Sequence, residues 1–401
     1  MHIFARIKKI ISHPFFQNPK TLRYLWLLIL PLGASIKYIC TVPNNFVIFR
    51  QVFWHAIHKL PLYVPYSKEY YDLNHYGVFF STIVAPFALP PVWPGLLFWL
   101  IVLSALLYFA VKNLPRANYL FIYWFCANEL LTALLMQQFN VAIAACILFS
   151  FLFIEKEKDV WSAFFILLGT FVKLYSIVGL AFFFFSKHKI KFIISLAGWS
   201  VVFFILPMFI SSPGYVIGQY VAWLGDLSAK NDLNMFSIGT NVSLLGMVRK
   251  ISGIATYSDS YLIGGGLVLF MLPYLRFKQY AHLAFRYFIL ASTLLFVVLF
   301  STGTESSGYI IGLVGVAIWY TAAPWKRSKW DVALLVFVFV LTSLSPTDIF
   351  PRFIRNEWIK PYALKALPCA LVWFKLCYEI CTRDFMDSKL NTDNDATKQI
   401  I

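Results

Sequence analysis

"VWSAFFILLGTFVKLYSIVGLAFFFFS" occupies residues 160–186, and its reading decides the fold. It is a double-length apolar block interrupted by one charge, Lys173. The gap before it reads "EKEKD" (155–159) and the gap after it "KHKIK" (187–191). Short basic gaps beside apolar blocks mark the cytoplasmic side of membrane proteins. With both flanks inside, the block crosses out and back, and Lys173 falls near the outer turn.

The rest of the chain extends this pattern. It is 60% hydrophobic and 13% charged over 401 residues, with a mean hydropathy of +0.71. Globular domains hold about 45–50% apolar and about 25% charged residues. The excess lies in blocks near 23–42, 78–93, 95–112, 117–133, 138–154, 192–211, 257–275, 286–301, 307–323, 330–347 and 361–381. At about 20 residues per crossing, this predicts an all-α polytopic membrane protein of about 11–13 transmembrane helices. The breaker run "ALPPVWP" (88–94) leaves the count between residue 77 and Glu155 open; the out-and-back reading is taken to need an even number there.

Charge sets the orientation. The formal net charge is +16, but the basic residues cluster in short gaps: Arg6, Lys8 and Lys9; Lys187, Lys189 and Lys191; Arg276 and Lys278; Lys326, Arg327 and Lys329. No soluble basic domain exists to bind nucleic acid, so that class is excluded. Residues 1–22 are placed in the cytoplasm, 23–381 form the membrane domain, and 382–401 read as a disordered polar tail. The first block lacks a small-residue cleavage site and reads as an uncleaved span. The outer loops are then about 43–76 and 212–256, with "STGTESSGY" (301–309) and about 345–360 on the same face. The setting expected is the plasma (inner) membrane, with the active face outside.

The outer segments hold the candidate chemistry. The first loop, with short interfacial helices, offers Arg50, His55, His58, Glu69, Asp72 and His75 among Trp54, Tyr63, Tyr66, Tyr70 and Tyr71. Its aromatics read either as an interfacial belt or as a platform for sugar faces. His55 and His58 alone do not make a metal site. Asn128, Glu129, Gln137, Gln138 and Asn140 sit in or between apolar blocks, where polar groups face each other or a cavity. Lys173 either snorkels to the interface or neutralises an anionic group such as a phosphate. "TNVSLLGMVRKI" adds Asn241, Ser243 and Arg249, and "GTESSGYIIG" adds Glu305 and Tyr309. The six Cys lie mostly in apolar stretches and read as small hydrophobes. No glycine-rich phosphate loop, HExxH or GxSxG is present, so no nucleotide or metal cofactor is expected.

Taken in order, these stretches resemble the integral-membrane glycosyltransferases of GT-C type, and within them glycosyltransferase family 87 (domain of unknown function 2029). The stretch "NNFVIFRQVFWHAIHKLPLYVPY" is similar to the family's acidic-F-x-x-(F/Y) opening and "(P/D)LY". The stretches "HYGVFFSTIVAPFALPP", "QQFNVAIAACILF", "GTFVKLYSIVGLAFFF" and "TNVSLLGMVRKI" resemble its "Y-x-P…PL", "GQ-x-N", "K-x-(Y/P)-P" and "NQSL…R" elements. The resemblance covers about residues 20–325.

It implies a GT-C-like bundle and an inverting transfer of a hexose, typically mannose, from a polyprenyl-phosphate sugar to a glycolipid or glycan acceptor beside membrane lipid. A carboxylate of the first outer loop is the implied base, with Arg50, Lys173 and Arg249 as phosphate-side cations. Asn45, Asn140 and Asn241 would bind sugar hydroxyls, joined in substrate binding by His55, His75 and Gln138. The chain departs from the family at Asn44–Asn45, where Asp is usual; an amide is no base. Three outcomes stay open: a base elsewhere in the loop (Asp72, then Glu69), a later carboxylate such as Glu305, or a non-catalytic descendant. A transporter of lipid-linked saccharides is the reading from another class; it expects pseudo-symmetric halves.

Overall fold

The computed structural model describes residues 13–385, whose regular structure is all helix, with no strand among them. The basic run at Arg6, Lys8 and Lys9 and most of the polar tail lie outside the described residues.

The 160–186 block folds as a hairpin. Helix α7 (Asp159–Val172) ends at Lys173, whose extended backbone (φ −150°, ψ 111°) reverses the chain into α8, a 3₁₀ helix over Leu174–Phe185. Three cross-contacts share one antiparallel register centred between residues 172 and 173. Ser186 Oγ bonds Asp159 Oδ1 at 2.5 Å where the hairpin opens. A Cβ at Gly179 would lie 2.9 Å from the Ile166 side chain, and one at Gly169 would lie 2.0 Å from Ser176 Oγ. Small residues at these points let the two arms touch, and Lys173 is left at the tip.

The remaining helices extend the same antiparallel plan. Helix α1 starts at Pro19, passes through a π-turn at Leu25–Ile29 and ends at Ile36; α2 is Asn44–Ile57 and α3 Phe80–Ala88. Then come α4 (Val92–Lys112), α5 (Tyr119–Leu135), α6 (Asn140–Glu155), α9 (Lys189–Ile205) and α10 (Pro213–Asn234). Helices α11 (Leu244–Ser252), α12 (Ser260–Met271), α13 (Leu283–Leu299), α14 (Tyr309–Thr321), α15 (Lys329–Phe337) and α16 (Leu367–Thr382) complete it. Starts are set by capping chemistry: Asn118 accepts from Phe121 N–H, Ser243 from Gly246 N–H, and Ser328 with Asp331 forms a capping box. Among the described residues two helices, Val92–Lys112 and Lys189–Phe209, are long and apolar enough to cross a membrane. Most other apolar helices run 10–17 residues.

The polar connections gather at two ends. One end holds Glu155–Arg286 (2.6 Å), Glu157–Lys187 (2.6 Å), Lys375–Asp331 (3.1 Å) and Arg327–Glu379 (3.3 Å). The other holds the segments about Asn45, Met136, Lys173 and Ser301, tied by Asn45 Nδ2 to Met136 C=O (2.9 Å) and Ser301 Oγ to the Tyr175 hydroxyl (3.1 Å).

Two expectations change. Residues 78–93 are no full element: Pro86 sits inside the nine-residue α3, about 13 Å long. Three long helices, α4 to α6, therefore separate Gly77 from Glu155; an odd number is what places these residues at opposite ends. The segment 212–256 is no loop: it contains α10, 22 residues long, started by Pro213.

Candidate functional site

At the Lys173 end lies a cavity of about 710 Å³. Its walls come from α2, the first loop, the α7–α8 tip, α10, the α11–α12 connection and the α13–α14 connection. Of the residues singled out in the sequence, Asn45, Asp72, His75, Gln138, Lys173, Arg249 and Glu305 line it.

Asp72 is presented by a tight local frame. Asn44, at the start of α2, clamps both backbone groups of the neighbouring Tyr71: its amide donates to Tyr71 C=O and its oxygen accepts from Tyr71 N–H, each at 2.8 Å. Asp72 itself takes a left-handed φ of 75°, which a short polar side chain tolerates. Its carboxylate accepts its own next N–H, Leu73, at 2.8 Å. The His75 imidazole 3.9 Å away, with that N–H, holds the carboxyl down to about 2 against the effect of burial. The side chain stays 70% exposed, so it is accessible from the cavity.

His75 is held from the other side. Its Nδ1 lies 2.8 Å from Asp226 Oδ2 on α10, and its C=O accepts the Trp223 indole N–H at 3.1 Å. Burial disfavours the charged imidazole, but the hydrogen bonds to Asp226 and Asp72 outweigh it, and the group titrates above its usual value.

The deep wall is a hydrogen-bonded chain. Gln138 Nε2 donates to Glu305 at 2.5 Å, and Gln138 Oε1 accepts from Asn140 (2.8 Å) and Ser307 (2.9 Å). Asn140 Oδ1 in turn accepts from Lys173 Nζ at 2.9 Å. The ammonium also lies over the Tyr175 ring, 4.5 Å from its centroid. Asn140 lies behind the lining and fixes Lys173 rather than facing the cavity. Behind this wall, Glu129 pairs with Lys365 at 2.7 Å, and Lys365 also donates to Ser306 C=O and Oγ (2.8 and 2.9 Å).

Several expected site residues are committed elsewhere. Arg249 touches the cavity, but its guanidinium is taken up by Ala255 C=O (2.9 Å), Tyr257 C=O (3.0 Å) and Asp259 (2.8 Å), and it stacks on Tyr257. It shapes the loop after α11 and has little left for a phosphate. Arg50 turns away to Pro90 C=O. His55 bonds Glu69 at 3.0 Å and packs on Tyr66; neither His55 nor Glu69 lines the cavity. Burial, outweighing Glu69, lowers the His55 titration. Asn241 is buried at a left-handed turn, accepting from Ser243 Oγ.

Sequence reading missed α10. Lys230, Asn231 and Asn234 line the cavity, and Asp226 stands behind His75. Burial, with Lys173 reinforcing and Glu305 opposing, lowers the Lys230 ammonium. The signal was present: Asp226, Lys230 and Asn234 recur every four residues, one helix face. Among the described residues, no group of three His, Cys, Asp or Glu is placed to hold a metal.

The sequence model of glycosyltransferase family 87 matches residues 74–302, more than half of the chain. The match takes in His75, Gln138, Lys173, Asp226 and Lys230; Asn45 and Asp72 precede it and Glu305 follows it. No curated protein matches the chain. The chain belongs to glycosyltransferase family 87 and is a glycosyltransferase by descent.

Proposed function

We propose that this protein is a multi-pass membrane hexosyltransferase. It moves a hexose, mannose by the family resemblance, from a polyprenyl-phosphate sugar to a glycolipid or glycan acceptor at the outer face. The observation that carries this reading is the cavity itself: one exposed carboxylate, two lysines and amide groups converge there beside an apolar wall.

The chemistry assigned to it is an inverting displacement. Asp72 accepts the proton of the acceptor hydroxyl, whose oxygen attacks the anomeric carbon. The bond from that carbon to phosphate breaks, and polyprenyl phosphate leaves with the electron pair. Lys173 and Lys230 offset its charge. Asn45, Asn231 and Asn234 line the cavity for sugar hydroxyls, while Gln138 is held in the deep wall by Glu305, Asn140 and Ser307. Glu305, bound to Gln138, orders the deep wall. The scheme calls on neither metal nor nucleotide.

The membrane setting is supported by what the helices expose. Outward residues of the Lys189–Phe209 run are apolar: Ile190 is 75% exposed and Phe209 81%. Val268 and Leu275, around α12, are similarly bare. Such a belt suits lipid, not water. A 17-residue helix reaches about 26 Å, near the hydrocarbon thickness of about 30 Å. The basic gaps fall at the end opposite the cavity, and the positive-inside bias supports an outer-face site.

The test is turnover by purified protein with a labelled polyprenyl-phosphate hexose and a panel of acceptors. Product that is lost in Asp72→Asn but retained in Glu69→Gln supports the assignment. No product with any donor would overturn it, and lipid movement across vesicles in that case would mark a transporter instead.

A further inference from the structure

We propose that His75, oriented by Asp226, is the final proton acceptor of the transfer, with Asp72 as the bridge between the imidazole and the acceptor hydroxyl. This rests on the transferase reading above and deepens it. Asp226 makes no contact with the cavity, so its role is to position.

The geometry is that of a relay. Asp226 Oδ2 sits 2.8 Å from Nδ1 and fixes the tautomer with the proton there, which leaves Nε2 as the free nitrogen. Nε2 faces Asp72 Oδ1 at 3.9 Å, and Asp72 is exposed enough for a small side-chain rotation to close the gap. Both partners of the imidazole are held. The Trp223 bond to His75 C=O anchors the backbone to the same α10 that carries Asp226. The Asn44 clamp on Tyr71 fixes the strained turn that carries Asp72.

The proton balance calls for such a partner. Even at its ordinary value of about 4, an aspartate carboxylate is a weak base and cannot keep a hydroxyl proton at neutral pH. Beside it stands an imidazole that is the stronger base. As the acceptor oxygen bonds the anomeric carbon and the phosphate departs, the hydroxyl proton passes to Asp72 and on to Nε2. Asp72 is returned as carboxylate, and imidazolium is left against Asp226. The same neutral His75 that can receive the proton also relieves the positive charge that weakens Asp72 as a base.

A pH signature follows. The groups facing His75 are Asp72 from its own loop and Asp226 and Lys230 from α10, with the Tyr63 phenol beside Asp226. The two carboxylates raise its titration and Lys230 lowers it. The reaction needs neutral imidazole, so kcat climbs with pH through the raised value. A lone carboxylate base would place that limb near about pH 4 instead.

The experiment is the pH–rate profile of the full-length protein in detergent micelles with labelled polyprenyl-phosphate hexose. Wild type should show an acid limb above about pH 6.5. Asp226→Asn should move the limb to lower pH. His75→Gln should lower the plateau by about 10²–10⁴-fold and leave a rate flat between about pH 5 and 9, since Asp72 alone then serves. If Asp226→Asn does not fold, the His75→Gln profile decides. A limb in the carboxylate range, one unmoved in Asp226→Asn, or one persisting in His75→Gln overturns the relay while the transferase stands. Absence of turnover in wild type at every pH overturns both.

Discussion

At the scale of single residues, the site divides into groups that face the cavity and groups that hold them. Asp72→Asn should cut kcat by about 10²–10⁴-fold with little change in donor KM, since an amide accepts no proton. Lys173→Met and Lys230→Met should each raise donor KM, by about 10–100-fold for a charge-assisted bond of about 1.5–3 kcal/mol; binding of the labelled donor reads this. His75 also links stability to pH. Its titration is raised in the folded state, so its contribution is full below about pH 6.5 and is lost as pH rises through the folded value. The melting temperature of wild type should fall across that window, and Asp226→Asn should flatten the fall. Lys173 was legible in the sequence because a charge among apolar residues stands out, and Asp72 and Glu305 because each is a carboxylate in a segment bounded by apolar blocks. Lys230 and Asp226 were not, because a charge in a polar segment is ordinary. The partners of Arg249 were hidden for a different reason: the carbonyls that take up its guanidinium belong to residues 254–257, and the left-handed Gly253 turns them back upon it.

At the scale of elements, the α7–α8 hairpin and α10 make the contrast. The hairpin was readable from its basic flanks and its single central lysine. Its close approach was not, since it depends on which residues meet across the register. Gly169→Val should destabilise by about 1–3 kcal/mol or more, because its Cβ would collide with Ser176 Oγ. Thermal unfolding in detergent measures this, and a loss of donor binding should accompany it as the Lys173 tip shifts. Helix α10 hid in an apparent loop because one face is given to Leu60, Leu62 and His75. Tyr215 donates to Leu60 C=O at 2.6 Å, and Gln219 accepts from Leu62 N–H at 2.8 Å. Its opposite face leaves Val221 and Leu224 bare. Two such faces blur any single hydropathy signal.

At the scale of the molecule, polar segments sort to two ends and the site uses only one. Cysteines placed at residue 157 and at residue 303 should label from opposite sides of sealed vesicles; labelling from one side would sink the topology. The Glu129–Lys365 pair joins α5 to the segment before α16 across the interior. Lys365→Met should lower stability by about 3–5 kcal/mol, since it leaves Glu129 buried without its partner. Adding Glu129→Gln should restore part of it. Sequence reading singled out Glu129 as needing a partner, yet a separation of 236 residues hides which one it takes.

That same brace sets an order of events during synthesis. Every residue that lines the cavity has been made once the ribosome passes Glu305. Lys365 emerges sixty residues later and then seizes Ser306, the neighbour of Glu305. A nascent chain halted after α14 would carry all the site's chemistry on a wall not yet fastened. The wall behind the pocket should therefore be fastened last, and a truncation before Lys365 should loosen it without removing any residue that lines it.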